Sequence, residues 1–408
     1  MAYDDAQGDI VLFGGQDATS LFGDTWMFKS GAWTEAAPST SPSPRQGAAI
    51  AYDGATNQLL LFGGGSDSGF LGDTWTWDGS TWTQLHPAAS PPARQRAEMV
   101  YDAAHHVIVL FGGYNGAYLN GTWTWNGVTW TKRHPTTVPP GRSTFALAYD
   151  PRYSNTLMFG GYNSTSHTLG GTWTWNGSNW IERHPSTSPS ARRSGQQMAF
   201  DAATGQMILF GGEESTGAWR GDTWDWTGST WQPLQPTSSP RGRTTGEMTY
   251  APRRILLFGG RAAATVFGDT WGWTGNWKAI GPQVGTAQIP SLDPFTDTGI
   301  SLEAGETISI VATGTASCCS GAMPVGPKGK AISGHVCRGA LWVGPFTAPG
   351  VNCWSLIGRI GTSSAAFYVG RTFCVSTPTA GELFLGFNDN YYPDNTGGFT
   401  ATIKTKSC

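Results

Sequence analysis

The sequence predicts an all-β chain: a six-bladed β-propeller followed by a β-sandwich of jelly-roll type. Three observations carry this. Phe-Gly-Gly recurs six times, beginning at Phe13, Phe62, Phe111, Phe159, Phe210 and Phe258, at spacings of 48 to 51 residues. Of the 20 tryptophans, 18 fall within residues 1–281, and 17 of these stand at three positions that recur through the copies. No segment carries a helical apolar period, whereas short apolar runs bounded by Gly, Pro and Asx recur to the C-terminus.

Each copy reads as four strands. In the second, Ala49–Asp53 is a first strand and the run Leu59-Leu60-Leu61 before Phe62 is a fully buried second. The segment Gly72-Asp73-Thr74-Trp75-Thr76-Trp77 alternates large residues onto one face, the period of a half-buried strand. A fourth strand begins at Trp82 and ends at Pro87. The third-strand tryptophan recurs at 26, 75, 123, 173, 224 and 271, and the fourth-strand one at 33, 82, 130, 180, 231 and 277. Repeats of this length with four strands resemble the kelch repeat, and the resemblance covers nearly all of 1–281. It implies a propeller in which the paired glycines turn at the blade junctions and the tryptophans fill the space between blades.

Copies two to six open with a Pro/Arg segment carrying Arg45, Arg94, Arg142, Arg192 and Arg241. The first copy begins at Tyr3-Asp4 without it, which predicts a missing first strand supplied, with a secretion signal, by an upstream extension. The arginines are expected to pair with blade carboxylates such as Asp24, Asp73, Asp222 and Asp269. His86, His134 and His184 occupy one slot of three successive blades. Blade spacing keeps them too far apart to share a metal at bonds of about 2 Å, so they read as structural.

The composition excludes several functions. Net charge is −3 without a Lys/Arg run, so no nucleic-acid footprint is present. Apolar runs such as Ile10–Phe13 are too short to cross a bilayer. Glu213-Glu214 has no partner that spacing identifies, and no nucleophile elbow, phosphate loop or zinc-protease motif occurs. The chain is therefore expected to be non-enzymatic.

Residues 282–290 read as a linker, and 291–408 as a second β domain. Its strand candidates are 307–314, 354–360, 365–370, 382–387 and 399–405. All six cysteines fall here: Cys318, Cys319, Cys337, Cys353, Cys374 and Cys408. Without zinc-type spacing they read as up to three disulfides, in any of fifteen pairings, and predict an oxidising, secreted setting. Between two strands, the stretch Asn388 to Asn395 holds five Asn/Asp residues. Short Asx side chains packed this way suit a hard cation that wants several oxygen ligands.

Three segments resemble the PA-IL-like, calcium-dependent galactose-binding lectins. They are 382–403 across the Asx-rich loop, 353–361, and 304–317 with 326–329. The resemblance implies calcium held by Asp389, by Asp394 with Asn395, and by the backbone carbonyls of Tyr391 and Cys318. Sugar hydroxyls would complete the shell, and His335 would touch the sugar. Asp394 stands where better-known members have Asn, which adds a negative charge. Three functions follow as expectations. The leading one is a secreted, calcium-dependent lectin for galactose-type glycans, with the propeller as platform. The second is a scaffold that binds a protein partner through the propeller loops Gln16–Phe22, Tyr162–Leu169 and Glu213–Trp219. The third is a carbohydrate-active enzyme targeted by the sandwich.

Overall fold

The computed structural model describes residues 1–408 except 18, 30–31, 253, 264, 281–283, 291–295, 303–306, 318–355, 361–366, 370, 377–380, 388–395 and 406–408. All of its regular secondary structure is strand. The chain divides into two compact units, Met1–Leu257 with Trp271–Lys278, and Phe258–Thr270 with Ala279–Cys408.

The first unit is built from six four-stranded antiparallel sheets, one per sequence repeat, with strands paired in chain order. The innermost strands are Ala2–Asp4, Ala49–Asp53, Glu98–Asp102, Ala146–Asp150, Gln197–Asp201 and Glu247–Ala251. Each lies against the next, and the last lies against the first, so the ring closes. The first blade is complete. Ala2–Asp4 pairs with Asp9–Val11 and supplies the strand that the sequence pattern suggested was missing. Three residues without a preceding Pro/Arg segment are too short a signal to read as a strand.

The second strand of each blade is packed on both faces, and its apolar run follows from that. Leu59, Leu60, Leu61 and Phe62 are each 1% exposed or less. The side chains alternate between neighbours: Leu60 and Phe62 join a cluster with Met99, Ile108 and Leu110 of the third blade, while Leu59 and Leu61 join one with Val11 of the first.

Two repeated contacts lock blade to blade. The fourth-strand indole donates to the threonine of the preceding blade's Thr-Trp motif: Trp82 Nε1 to Thr25 Oγ1 at 2.9 Å, Trp130 to Thr74 at 3.1 Å, Trp180 to Thr122 at 2.9 Å, Trp231 to Thr172 at 2.9 Å and Trp277 to Thr223 at 2.9 Å. The same indoles meet the Phe of the preceding Phe-Gly-Gly, with centroids 4.9 Å apart for Phe111 and Trp180 and 5.3 Å for Phe13 and Trp82. Each such ring pair adds about 0.5–1.5 kcal/mol to the area it buries.

The second contact is an arginine staple. Arg45 is 1% exposed. Its backbone oxygen accepts from Gly15 of the first blade at 2.9 Å, and its Nη1 donates to the Gly63 oxygen of the second at 3.0 Å. Arg94 and Arg142 repeat this with Gly64 and Gly112, and with Gly113 and Gly160. The first glycine must be glycine for two reasons. Gly63 has φ of 68°, and a Cβ there would lie 2.6 Å from the Arg94 oxygen. Arg45 and Arg192 also form ion pairs with Asp73 and Asp222 of their own blades. In the sixth blade the buried arginine is Arg243 rather than Arg241. Arg243 is 1% exposed and accepts from Gly212 at 2.8 Å. The sequence Arg241-Gly242-Arg243 offers two candidates, and spacing alone selects the wrong one.

The second unit is a sandwich. One sheet runs Thr296–Leu302, Gly381–Phe387, Leu356–Ile360, Phe367–Tyr368. The other runs Arg261–Ala262, Thr265–Phe267, Val284–Pro290, Thr396–Thr405, Thr307–Ser317, Thr372–Ser376. Ile308, Ile310, Phe399 and Ile403 of the six-stranded sheet share a core with Leu356, Leu383 and Leu385 of the other, while Val311 points outward. Val284–Pro290 falls inside the segment expected as linker. It pairs along its length with Thr396–Thr405, from Val284 opposite Lys404 to Pro290 opposite Gly398. Pro290 is the last residue of the strand and so ends the ladder instead of interrupting it.

Candidate functional site

Closing six blades around an axis leaves a channel bordered by the innermost strands. Two residues before the innermost strands of blades two to six stand Gly47, Arg96, Thr144, Gly195 and Thr245. All are left-handed, with φ of 58°, 56°, 56°, 67° and 57°. Consecutive members touch. The Arg96 N–H donates to the Gly47 oxygen at 2.7 Å, the Thr144 N–H to the Arg96 oxygen at 3.4 Å, and a Cβ on Gly195 would lie 2.1 Å from the Thr245 nitrogen. They form a collar at one end of the channel. A left-handed β-branched residue costs about 1–3 kcal/mol and persists only where its surroundings fix it.

The loops between the second and third strands rise beside this collar. Backbone bridges join Gln46 to Gly65, Gln95 to Tyr114, Ser143 to Tyr162 and Ser194 to Glu213. All three loops named from sequence lie on this face. Arg45, which opens the second copy's Pro/Arg segment, brackets Gln16–Phe22 by accepting from Gly15 and donating its N–H to the Phe22 oxygen.

On blades two to four the loops carry a ladder of rings. Phe70 meets Tyr114 at 5.7 Å, Tyr114 meets Tyr118 at 5.0 Å, Tyr118 meets Tyr162 at 5.5 Å, and Tyr162 meets His167 at 6.0 Å. Phe22, Phe70 and Trp219 expose 39%, 38% and 40% of their surface. On blade five the charges satisfy one another. Arg193 pairs with Glu213, while Arg220 and Ser190 bond to Glu214 and hold its carboxyl below the ordinary range.

Below the collar stand two carboxylates. Glu98 and Glu247 begin the innermost strands of the third and sixth blades, which lie opposite each other in a ring of six. Burial, then the facing charge of Glu247, pushes the Glu98 carboxyl up to about 8. The Met1 amino group, 3.5 Å from Glu247, partly offsets this. Sequence reading missed this pair, as it missed Tyr114, Tyr118 and Arg96. The signal was available: in the same slot the other blades carry Ala49, Ala146 and Gln197.

The residues expected to bind calcium and sugar, Asp389, Tyr391, Asp394, Asn395, Cys318 and His335, lie outside the described residues, as do Cys319, Cys337, Cys353 and Cys408. His86, His134 and His184 are exposed just beyond the fourth strands of three separate blades. Among the described residues no group of three His, Cys, Asp or Glu could hold a metal. Of the expected arginine–carboxylate pairs, those of Asp73 and Asp222 are present, and Asp24 instead accepts from Trp26 Nε1 at 2.7 Å. Burial alone would raise the Asp73 carboxyl, but the bonds from Arg45 and Trp75 hold it below its usual value.

A family model, the KLHDC2/KLHL20/DRC7 Kelch-repeats domain, matches residues 1–134. No curated protein matches the chain. Kelch-repeat domains are generally non-catalytic interaction modules, in agreement with the non-enzymatic expectation.

The Glu98 carboxyl gives a pH dependence of defined sign. Its folded pKa lies above the ordinary value, so the folded state binds the proton more tightly than the unfolded one. The stability it contributes is complete below the ordinary carboxyl range and is lost as pH rises through about 8. The melting temperature of the wild type is expected to fall relative to that of Glu98→Gln between about pH 5 and 9. Parallel curves for the two proteins would contradict this assignment.

Proposed function

We propose that the protein is a non-catalytic binding protein whose propeller engages a protein partner through the collar and loop face. The observation that carries this is the ring ladder from Phe70 to Tyr162, flanked by the exposed Phe22 and Trp219. Aromatic residues that are partly exposed and already ordered bury large area at small entropic cost, which is why Tyr and Trp dominate interface energetics. The closed ring supplies a rigid base, and the loops supply variation. The reading is tested by selecting displayed 12-residue peptides on the intact chain. Phe70→Ala and Trp219→Ala are expected to weaken the selected peptides by about tenfold or more, while Ile181→Ala, on an outer strand, leaves them unchanged. Failure to select any peptide, or equal binding by the loop-face variants, would remove this reading.

A second reading has its own support. The Asx-rich segment 388–395 connects Gly381–Phe387 in one sheet to Thr396–Thr405 in the other. In the six-stranded sheet Ser317 pairs with Thr396. These are the residues immediately before Cys318 and immediately after Asn395. This pairing of the two flanking residues supports a cation held by Asp389, Asp394 and Asn395 with the carbonyls of Tyr391 and Cys318. Calcium bound there would present open coordination positions to vicinal hydroxyls of a galactose-type glycan, with His335 beside them. Cys374 is disulfide-bonded, which supports a secreted, oxidising setting. Retention on immobilised galactose is expected to require calcium and to be lost on chelation and in Asp389→Ala. A folded protein that passes through the matrix in every condition would exclude this reading.

A further inference from the structure

The hairpin that opens the first blade breaks the repeat at one slot. Ala2–Asp4 and Asp9–Gln16 pair so that Asp4 stands directly opposite Asp9. In blades two to five the aspartate that ends the innermost strand faces Gln58, Val107, Asn155 and Gln206 instead. Among these five hairpins the first alone sets carboxylate against carboxylate. Both are deeply buried, Asp4 at 1% exposure and Asp9 at 7%. Like charges directly opposite on paired strands repel, with their Cβ atoms about 4.5–5.5 Å apart.

The protein does little to neutralise the pair. Asp4 Oδ1 accepts from the N–H groups of Ala6 at 3.1 Å and Gln7 at 3.3 Å. Asp9 Oδ1 is buried and has no hydrogen-bond partner among the described residues. The cation that acts on Asp9 is Lys29, but its Nζ donates to the Gln7 oxygen at 2.8 Å. Burial raises the Asp9 carboxyl against the pull of Lys29. Burial also raises the Asp4 carboxyl; the two N–H bonds oppose this, and the charges of Asp9 and Asp5 add to it. Burial, then the charges of Asp5, Asp9 and Asp4, raise the neighbouring Tyr3 hydroxyl. Three negative charges thus gather at one end of a hairpin, around an orphaned carboxylate oxygen.

We propose that Asp4 and Asp9 hold a hard divalent cation of the calcium type, through Oδ2 of Asp4 and Oδ1 of Asp9, with carbonyls of the turn and water completing the shell. Such cations take about six to eight oxygens, of which carboxylates need supply only a part. At bonds of about 2.3–2.6 Å, one ion bridges two oxygens up to about 5 Å apart, which suits a directly opposed pair. Asp5, exposed on the turn, adds to the negative field. The site would secure ring closure, because Ala2–Asp4 lies against both Ala49–Asp53 and Glu247–Ala251. It is independent of the loop face and of the Asx-rich segment 388–395. A proton shared between the two carboxylates would relieve the same repulsion, and the experiment separates the two cases.

The experiment uses the full chain carrying Asp389→Ala, which removes a carboxylate proposed for the cation of the second unit. Unfolding is followed by tryptophan fluorescence, since 18 of the 20 tryptophans lie within residues 1–281. Millimolar calcium chloride at neutral pH is expected to raise the melting temperature by about 3 °C or more over the same chain in chelator at matched ionic strength. Equilibrium dialysis is expected to find calcium bound to this chain. Asp9→Asn and Asp9→Gln, added to it, are expected to fold, because Asn155 and Gln58 fill the same slot in other blades. Both are expected to lose the bound calcium and the shift. A calcium shift of equal size in the Asp9 variants would overturn the proposal. So would the absence of bound calcium from the Asp389→Ala chain; a gain in stability on acidification that Asp9→Asn lacks would then assign the pair to a shared proton.

Discussion

The propeller depends on one buried contact repeated around the ring: an arginine whose backbone oxygen takes a glycine N–H from one blade while its guanidinium reaches a glycine carbonyl of the next. A buried guanidinium is costly to desolvate, and it is tolerated here because its donors find fixed acceptors. Burial alone pulls Arg94 and Arg142 down to about 10, which still leaves them charged at neutral pH. The contact explains why the motif contains two glycines and not one. The first gives up its side chain so that the arginine oxygen can approach, and the second donates its N–H to that oxygen. The tryptophan-to-threonine bonds act in parallel at the outer part of each interface. A polar tip on a large ring needs a partner once it is buried, and the threonine of the preceding blade provides it.

A scaffold fixed this way frees its loops from structural duty. The collar residues Gly47, Arg96, Thr144, Gly195 and Thr245 share one backbone geometry but not one side chain. The loops above them differ in length and chemistry: rings on blades two to four, a closed set of ion pairs on blade five. The backbone of the fold is thus repetitive where it bears load and variable where it meets other molecules. The opposed Glu98 and Glu247 break the repeat inside the channel. They also make the stability of the propeller sensitive to proton concentration near neutrality.

Much of this was legible in the sequence, because a motif repeated six times averages out local ambiguity. Blade number, strand order, the buried second strands and the tryptophan interfaces all follow from period and composition. Three things did not. The three-residue first strand carries no pattern of its own and is defined only by its partner. Arg243 could not be told from Arg241 without the hydrogen bond it makes. Val284–Pro290 looked like a linker because its prolines were counted without regard to position. The candidate site was half visible: the loops could be named, but the left-handed collar and the ring ladder from Phe70 to Tyr162 emerge only once the blades are set side by side. The calcium and sugar residues were named from resemblance to a lectin family, and their support from the fold is limited to the register of the two strands beside them.

The central claim is that the arginine contacts make the six blades one cooperative ring. Hydrogen exchange at the amides of Gly15, Gly64, Gly113, Gly161 and Gly212, the donors to the five staples, tests this most directly when wild type is compared with Arg142→Met. In the wild type all five are expected to fall in the slowest-exchanging class. In the variant, loss of protection is expected to spread to all five. Faster exchange confined to Gly113 and its neighbours, with the other four as slow as in wild type, would contradict the account and make the blades independent units.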